Sequence, residues 1–422
     1  MFFAGFEKEK NAVNYAVETM QFGFYELAEK ALEKCENKAI KFYYLAYVAK
    51  KRGDNEAYEK NIALADACSW KCEFPVRTET VPVLKAAGTP MAHYYLGCIY
   101  YAYERYGEAV AEWKLTVAKI EFAPAYRNMA LGLYDHLGKI DEALAALKKA
   151  RELMPESNRI FFELTQLYKG LNLPLDKRLE LYKNEEKTVF TRDDCTLQYS
   201  VLLTVEGDLS KAFDILANHR FHTYEGGEGY LTQHHAWLHF IEGRKLVKEK
   251  KYEQAEKMLL AGLNIPLNYG EEKNYFVNDA PIYFELAELY GAQGLTAKRD
   301  EYLRLALTTH GAPTVHSYYE CLAFETLGMP EKAKNLADEM EKIGKNRIET
   351  AEIPEYYGVG SPAYQPFNYD IEKVHLLSGY LMRGFAALAK GDKKTAAKYA
   401  EKAEKIDCSD FSLYLLKGEI NG

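Results

Sequence analysis

Residues 90–123, PMAHYYLGCIYYAYERYGEAVAEWKLTVAKIEFA, and residues 124–157, PAYRNMALGLYDHLGKIDEALAALKKARELMPES, are one pattern written twice. Tyr100, Ala109, Trp113 and Thr116 return 34 residues later as Tyr134, Ala143, Leu147 and Ala150, and the second copy closes on Pro155. Two helices can approach closely only where one side chain is nearly absent. Ala109 and Ala143 meet that need on the second helix of each copy, and Gly97 meets it on a first helix. Tyr94, Leu96 and Tyr100, at helical spacing, form the apolar stripe that faces the partner helix. A lone hairpin cannot bury both of its faces, so the copies must stack.

A 34-residue unit with these features carries the tetratricopeptide signature. The chain is therefore expected to be all-α, a tetratricopeptide-repeat solenoid over residues 1–422, winding as a right-handed superhelix of about ten helical hairpins. Aligned on their turns and small residues, the hairpins begin near Glu9, Ala39, Pro90, Pro124, Asn158, Asp193, Ala236, Ala280, Thr314 and Leu377. Gly23, Gly53, Gly138, Gly207, Gly294, Gly328 and Gly391 mark turns where a first helix ends with φ > 0. The small position of the second helix is Ala28, Ala109, Ala143, Ala212, Ala255, Ala333 and Ala396, with Lys177 and Arg299 in two poorer copies. Those two hairpins should be splayed, or should use the aliphatic stems of these side chains.

The charge balance, 54 basic against 62 acidic residues for a net of −8, gives no electrostatic reason to expect nucleic acid or an anionic membrane as partner. No stretch approaches the roughly 18 apolar residues of a membrane span. The apolar start Met1 to Phe6 is cut by the charges of Glu7 to Lys10, far short of a signal-peptide core. Seven cysteines without framework spacing point to free thiols, hence to a cytoplasmic protein. The 34 tyrosines suit helices that stack, with rings between helices and hydroxyls reaching water.

Three longer connections interrupt the array, and insertions in solenoids map to loops. Glu73 to Thr89 carries Pro75 and Pro82 around a short helix. His219 to Thr232 contains Tyr224-Glu225-Gly226-Gly227-Glu228-Gly229. Ile348 to Asp370 holds Tyr356, Tyr357, Tyr364, Phe367 and Tyr369, too aromatic for a disordered linker, and is expected to fold back onto the solenoid. Residues 411–422 read as a C-terminal helix that caps the last hairpin.

The stretch Glu73 to Lys273 also resembles a particular bacterial family. The runs Tyr94-Tyr95-Leu96-Gly97, Glu163-Leu164-Thr165-Gln166-Leu167-Tyr168-Lys169, Arg192-Asp193-Asp194, Arg220-Phe221-His222-Thr223-Tyr224-Glu225-Gly226-Gly227-Glu228-Gly229 and Asn268-Tyr269-Gly270-Glu271 carry the likeness. It extends more weakly to Tyr356-Tyr357-Gly358-Val359-Gly360-Ser361-Pro362. Members of that family carry an N-terminal domain of unknown function, a mutarotase-like β-sandwich, ahead of a tetratricopeptide half. The sandwich is absent from this chain. Thr223-Tyr224 and His234 depart from the family pattern. The resemblance implies a protein partner, a mutarotase-like β-sandwich protein concerned with carbohydrate, and a carbohydrate as a further ligand class.

Within this frame, Arg220, His222, Tyr224, Glu225, Gly226, Gly227, Glu228 and Gly229 are the first candidates for partner or ligand contact. Three glycines in five residues admit close backbone approach, and two carboxylates three apart can hold hydroxyls or move protons. The bland alternative is a compact turn whose Glu228 caps the next helix. The inner face, made by the first helix of each hairpin, adds Tyr94, Tyr101, Asn128, Asp135, Phe162, Gln166, Lys169 and Arg244, a mixture suited to a peptide, a protein loop or a sugar. His235 and His239 are four apart on one helix, but their surroundings favour structural histidines over a metal site. Cys68 and Cys72 read as thiols without a redox partner spacing. No phosphate loop, nucleophile elbow or catalytic triad spacing is present. The expectation is a scaffold without catalytic residues, metal or cofactor. Its rival is an accessory role, in which the Glu225–Gly229 loop completes a partner's sugar-processing site.

Overall fold

A computed structural model describes residues 2–71, 73–223, 227–273, 277–308, 312–350, 367 and 371–422, with residues 2–11 and 371 described by their backbone alone. All regular structure among them is helical. The chain forms two compact units, Met1–Ile160 and Phe161–Gly422.

In unit 1, α1 (Phe2–Gln21) pairs with α2 (Tyr25–Leu32), and α3 (Ala39–Arg52) pairs with α4 (Asn55–Ala67). A short α5 (Thr80–Ala87) precedes the pair α6 (Pro90–Ala102) and α7 (Tyr106–Val117). Then α8 (Ala123–Leu131) runs through a π turn, Gly132–His136, and packs on α9 (Ile140–Leu153). Unit 2 runs from α10 (Asn158–Gly170) through α11 (Leu175–Asn184), α12 (Glu186–Val189), α13 (Asp193–Glu206) and α14 (Leu209–Asn218). It continues with α15 (Tyr230–Lys248), α16 (Tyr252–Gly262), α17 (Ala280–Ala292), α18 (Thr296–Ala306), α19 (Ser317–Thr326) and α20 (Pro330–Glu349). The last elements are α21 (Ile371–Ala389), α22 (Lys393–Glu404) and α23 (Phe411–Asn421).

The hairpin logic is visible at its tightest contact. The Trp113 indole lies flat against Gly97, where an added Cβ would collide with the ring, and its N–H donates to the Tyr94 carbonyl at 3.1 Å. Each of Ala28, Ala109, Ala143, Ala212, Ala255, Ala333 and Ala396 is buried. The seven turn glycines all adopt positive φ, between 62° and 99°, a region that a Cβ penalises. In three turns the next residue is an aspartate, Asp54, Asp208 or Asp392, whose carboxylate accepts from the backbone N–H of Ala57, Lys211 or Thr395 at 2.9, 3.1 and 2.9 Å. One dipeptide thus ends the first helix and starts the second.

Helices α3, α6, α10, α13 and α17 begin where the repeat alignment puts them, whereas α15 and α21 begin six residues earlier. The two poorer copies differ from each other. The Arg299 stem lies 3.3 Å from the Cβ position of Gly291, as the aliphatic-stem reading requires. Lys177 is instead 62 % exposed, and its neighbour Arg178 is the buried one. Tyrosine packing also departs from expectation. Tyr43, Tyr44, Tyr199 and Tyr319 are among the largest fully buried side chains, and their hydroxyls bond inside the protein to Asp66, Thr80, Glu186 and Glu419, because a buried O–H without a partner is costly.

The first insertion folds onto unit 1. Glu73 turns inward and accepts from the N–H groups of Ala39 and Ile40 at 3.0 and 2.8 Å, capping α3 from outside its own sequence. The third insertion lies outside the described residues but for its flanks and Phe367, which is buried.

Candidate functional site

Three of the sequence runs quoted for the family likeness meet at one edge of unit 2. Asp193, at the first turn of α13, receives His219 Nε2 at 2.7 Å on one carboxylate oxygen. The other oxygen takes the His222 backbone N–H at 2.8 Å and lies 3.0 Å from His222 Nδ1. Burial opposes the charge of Asp193, but these hydrogen bonds outweigh it and hold the carboxyl below the usual carboxylate range. Asn268 holds the same segment, donating to the carbonyls of Leu216 and His219 at 2.9 and 2.7 Å. The Phe221 N–H donates to the Asn268 carbonyl at 2.8 Å.

Gly270, at φ 69°, is there because a Cβ would stand 3.0 Å from the Phe221 carbonyl. Glu271 accepts from the Gly229 N–H at 3.3 Å, so Glu271 meets the N-terminus of α15. Burial raises the Glu271 carboxyl, and its second oxygen is buried without a hydrogen-bond partner among the described residues. A small cleft opens here, lined by Asp193, Leu197, Phe221, His222, Thr223, Gly227, Leu231, Tyr269 and Glu271. Arg220, His222, Thr223 and Glu228 are exposed around it, and Gly229 is buried. Tyr224, Glu225 and Gly226 lie outside the described residues.

The remaining candidates sit on first helices. In unit 1, Tyr94 is buried, with its ring edge-on to Phe122 at 4.9 Å and beside Tyr95 at 5.4 Å. Tyr101 and Asn128 are half-buried. Tyr101 reaches His136 Nε2 at 3.3 Å, and Asn128 accepts from Arg127 at 3.1 Å. In unit 2, Phe162 is buried under the Arg192 guanidinium at 4.4 Å, Gln166 is half-buried and Lys169 exposed.

Arg244 is engaged internally. Its Nε donates to Glu285 at 2.7 Å, and it pairs with Glu419 of α23. Tyr319 donates to the same Glu419 at 2.8 Å. Phe411 meets His234 edge-on at 5.7 Å and Trp237 at a tilt at 5.5 Å, and Leu416 fills the space over Gly384. Helix α23 therefore packs on the last hairpin, α21 and α22, and reaches α15 and α19 through Phe411 and Glu419. The connection before it is held to the first hairpin of unit 2: Arg178 bonds Asp407 at 3.3 Å and also Ser409. Asn172 donates to the Glu404 carbonyl at 2.9 Å and accepts from Cys408 N–H at 2.8 Å.

The histidines are structural in their surroundings. Burial lowers His234 to about 3 and His235 to about 4, and His235 bonds the Tyr269 hydroxyl at 2.9 Å and the Ala261 carbonyl at 3.2 Å. Among the described residues no group of three His, Cys, Asp or Glu side chains could hold a metal ion. Burial pushes the Cys98 thiol up to about 11 and Cys321 to about 12, which removes their nucleophilicity near neutral pH. No helix of the described residues is long and apolar enough to cross a membrane.

Sequence reasoning quoted Asp193 and Asn268 to Glu271 as runs but did not bring them to the loop; only tertiary contacts join positions so far apart. It also missed Glu419 as the partner of Arg244.

No family model matches the chain. Similar solved structures include MamA, with 16% identity over 43% of this chain and 92% of that one, TM-score 0.25. TTC0263, a thermophilic TPR protein of Thermus thermophilus, has 21% identity over 46% and 99%, TM-score 0.27. The human IFIT1 dimer with PPP-AAAA has 15% identity over 92% and 88%, TM-score 0.31. These likenesses carry no argument about ligands, and the tetratricopeptide reading stands on the hairpins themselves.

Proposed function

We propose that this chain is a non-catalytic scaffold of tetratricopeptide hairpins that binds a protein partner through the edge around Arg220, His222 and Gly227–Gly229. The observation that carries the reading is the clasp on this segment. Asp193 and Asn268 fix its backbone, while Arg220, His222 and Thr223 stay exposed. A strip whose backbone is held and whose side chains stay exposed lowers the ordering cost of association. The family resemblance suggests a mutarotase-like β-sandwich protein concerned with carbohydrate as that partner, in the cytoplasm. Tyr101, Asn128 and Gln166 are further contact candidates.

The test is affinity capture from the source cell with the full chain and with an Arg220→Glu/His222→Ala variant. Recovery of one stable partner by the parent, and its loss in the variant at unchanged melting temperature, supports the reading. No partner with the parent chain, or equal recovery with the variant, overturns it.

Glu271 favours a second reading, in which this edge completes a sugar-processing site on the partner. A carboxyl raised by burial can exchange a proton, and His222, held at Nδ1, presents Nε2 outward. With Glu225 and Glu228 contributing carboxylates along with Glu271 and with Arg220 or His222 orienting the substrate, Glu225→Gln/Glu228→Gln, and separately Glu271→Gln, would abolish turnover by the assembled pair while leaving assembly intact. Surviving turnover removes this reading.

A further inference from the structure

A second cleft lies in unit 2, between α18 and the turn joining α19 to α20, away from the Asp193 edge in sequence and in lining residues. It is an open cleft of about 590 Å³. Phe324, Leu327, Leu307 and Met329 contribute its apolar surface, and Met329 is 40 % exposed. Its cations differ in how they are used. Arg299 is bonded to Asp300 at 2.9 and 2.8 Å. Arg304 and Lys332 are exposed and form no ion pair with a carboxylate among the described residues. The Lys332 ammonium rests 5.7 Å from the Phe324 ring centroid, which keeps a positive charge beside the apolar floor.

With Arg299 offset by Asp300, the lining is left with two cations, Arg304 and Lys332, on a chain whose net charge is −8. Charge complementarity selects an anionic occupant, and the apolar floor requires that the occupant also bring a side chain to bury. The cleft is open rather than enclosed, so it suits an extended chain more than a small enclosed molecule. Met329 gives the floor an adaptable thioether that accepts side chains of different shape.

We propose that this cleft is a docking site for an acidic peptide segment in which carboxylates flank an aliphatic or aromatic residue. The apolar side chain sits on Phe324, Leu327 and Met329, and the flanking carboxylates meet Arg304 and Lys332. The site is independent of the partner edge proposed above, and its failure leaves that reading untouched.

The test uses the full chain and a fluorescein-labelled seven-residue peptide alternating glutamate with leucine and phenylalanine, read by anisotropy. Controls are an all-glutamate peptide and one with serine in place of glutamate. Saturable binding of the alternating peptide, weakened about ten-fold or more by Arg304→Glu/Lys332→Glu and by raising salt from about 0.1 to 0.5 M, supports the proposal. Both residues are exposed, so the variant should retain its melting temperature; if it does not, Arg304→Gln and Lys332→Gln singly give the same readout at smaller amplitude. Absence of saturable binding, undiminished binding by the folded variants, or equal affinity for the all-glutamate peptide overturns it. The last result would identify a site for acidic charge alone.

Discussion

The first-helix surfaces of the two units use the same repeat in different ways. In unit 1, α6 and α8 leave Tyr101 and Asn128 half-buried on that surface. In unit 2, α23 packs on α21 and α22, its Leu413, Leu415 and Leu416 are buried, and its Glu419 and Phe411 engage side chains of α15 and α19. The polar residue best suited to contact a ligand there, Arg244, is already matched by Glu285 and Glu419. A hairpin repeat therefore specifies stacking but leaves open whether the surface it creates is offered to other molecules or filled by the chain itself.

The largest expected effect tests the unit 1 side of this contrast. Trp113→Ala removes the ring that fills the space over Gly97 and should destabilise unit 1 by about 3–5 kcal/mol. Hydrogen exchange should show the loss of protection in residues 1–160 and little change in α23. Equal loss in both units would mean that they do not unfold separately.

On the unit 2 side, Arg244→Met leaves Glu285 and Glu419 without their cation. Burial already raises the Glu285 carboxyl, with Arg244 opposing the rise. Breaking a pair this deep should cost about 3 kcal/mol. Replacing both carboxylates as well, with Glu285→Leu and Glu419→Leu, and removing with Tyr319→Phe the buried hydroxyl that Glu419 accepts from, should recover much of the loss, since the uncompensated charges are then gone and no buried donor is orphaned. Urea titrations of the single and quadruple variants make the comparison.

A pH test bears on unit 2 through His235, held at about 4 by burial. The unfolded chain takes up this proton near the ordinary histidine value and the folded chain does not. The group therefore withdraws stability as pH falls from about 6.5 toward 4. Asp410, pushed up to about 6 by burial, acts in the opposite direction, because its folded form gains the proton first. The clean readout is a difference: between pH 7 and 5, His235→Gln should lose about 2 kcal/mol less stability than the parent chain. Parallel pH profiles for the two would show that His235 titrates normally.

The smallest effect separates neighbours. Lys177→Ala should stay within about 0.5 kcal/mol of the parent, whereas Arg178→Ala should be far more costly because it leaves buried Asp407 with only Lys169 at 3.9 Å as cation among the described residues and Ser409 without its donor. A large effect at Lys177 would restore the register read from the sequence.

The repeat made the hairpins, their alanine contacts and their turn glycines legible, because each depends on interactions within about 20 residues and on backbone rules that a single residue type satisfies. The edge at Asp193 was legible only as separate runs. Its assembly depends on Asp193, His222 and Asn268 being brought together across α13, α14 and α16, and no local pattern encodes which carboxylate meets which histidine. The same holds for α23. Its sequence announced a helix over the last hairpin, and α23 does pack on α21 and α22, but its further reach to α15, α19 and the Arg178 turn was set by Arg244, Tyr319 and Arg178. These three side chains are far apart in sequence, and only the folded unit turns them toward Glu419, Asp407 and Ser409.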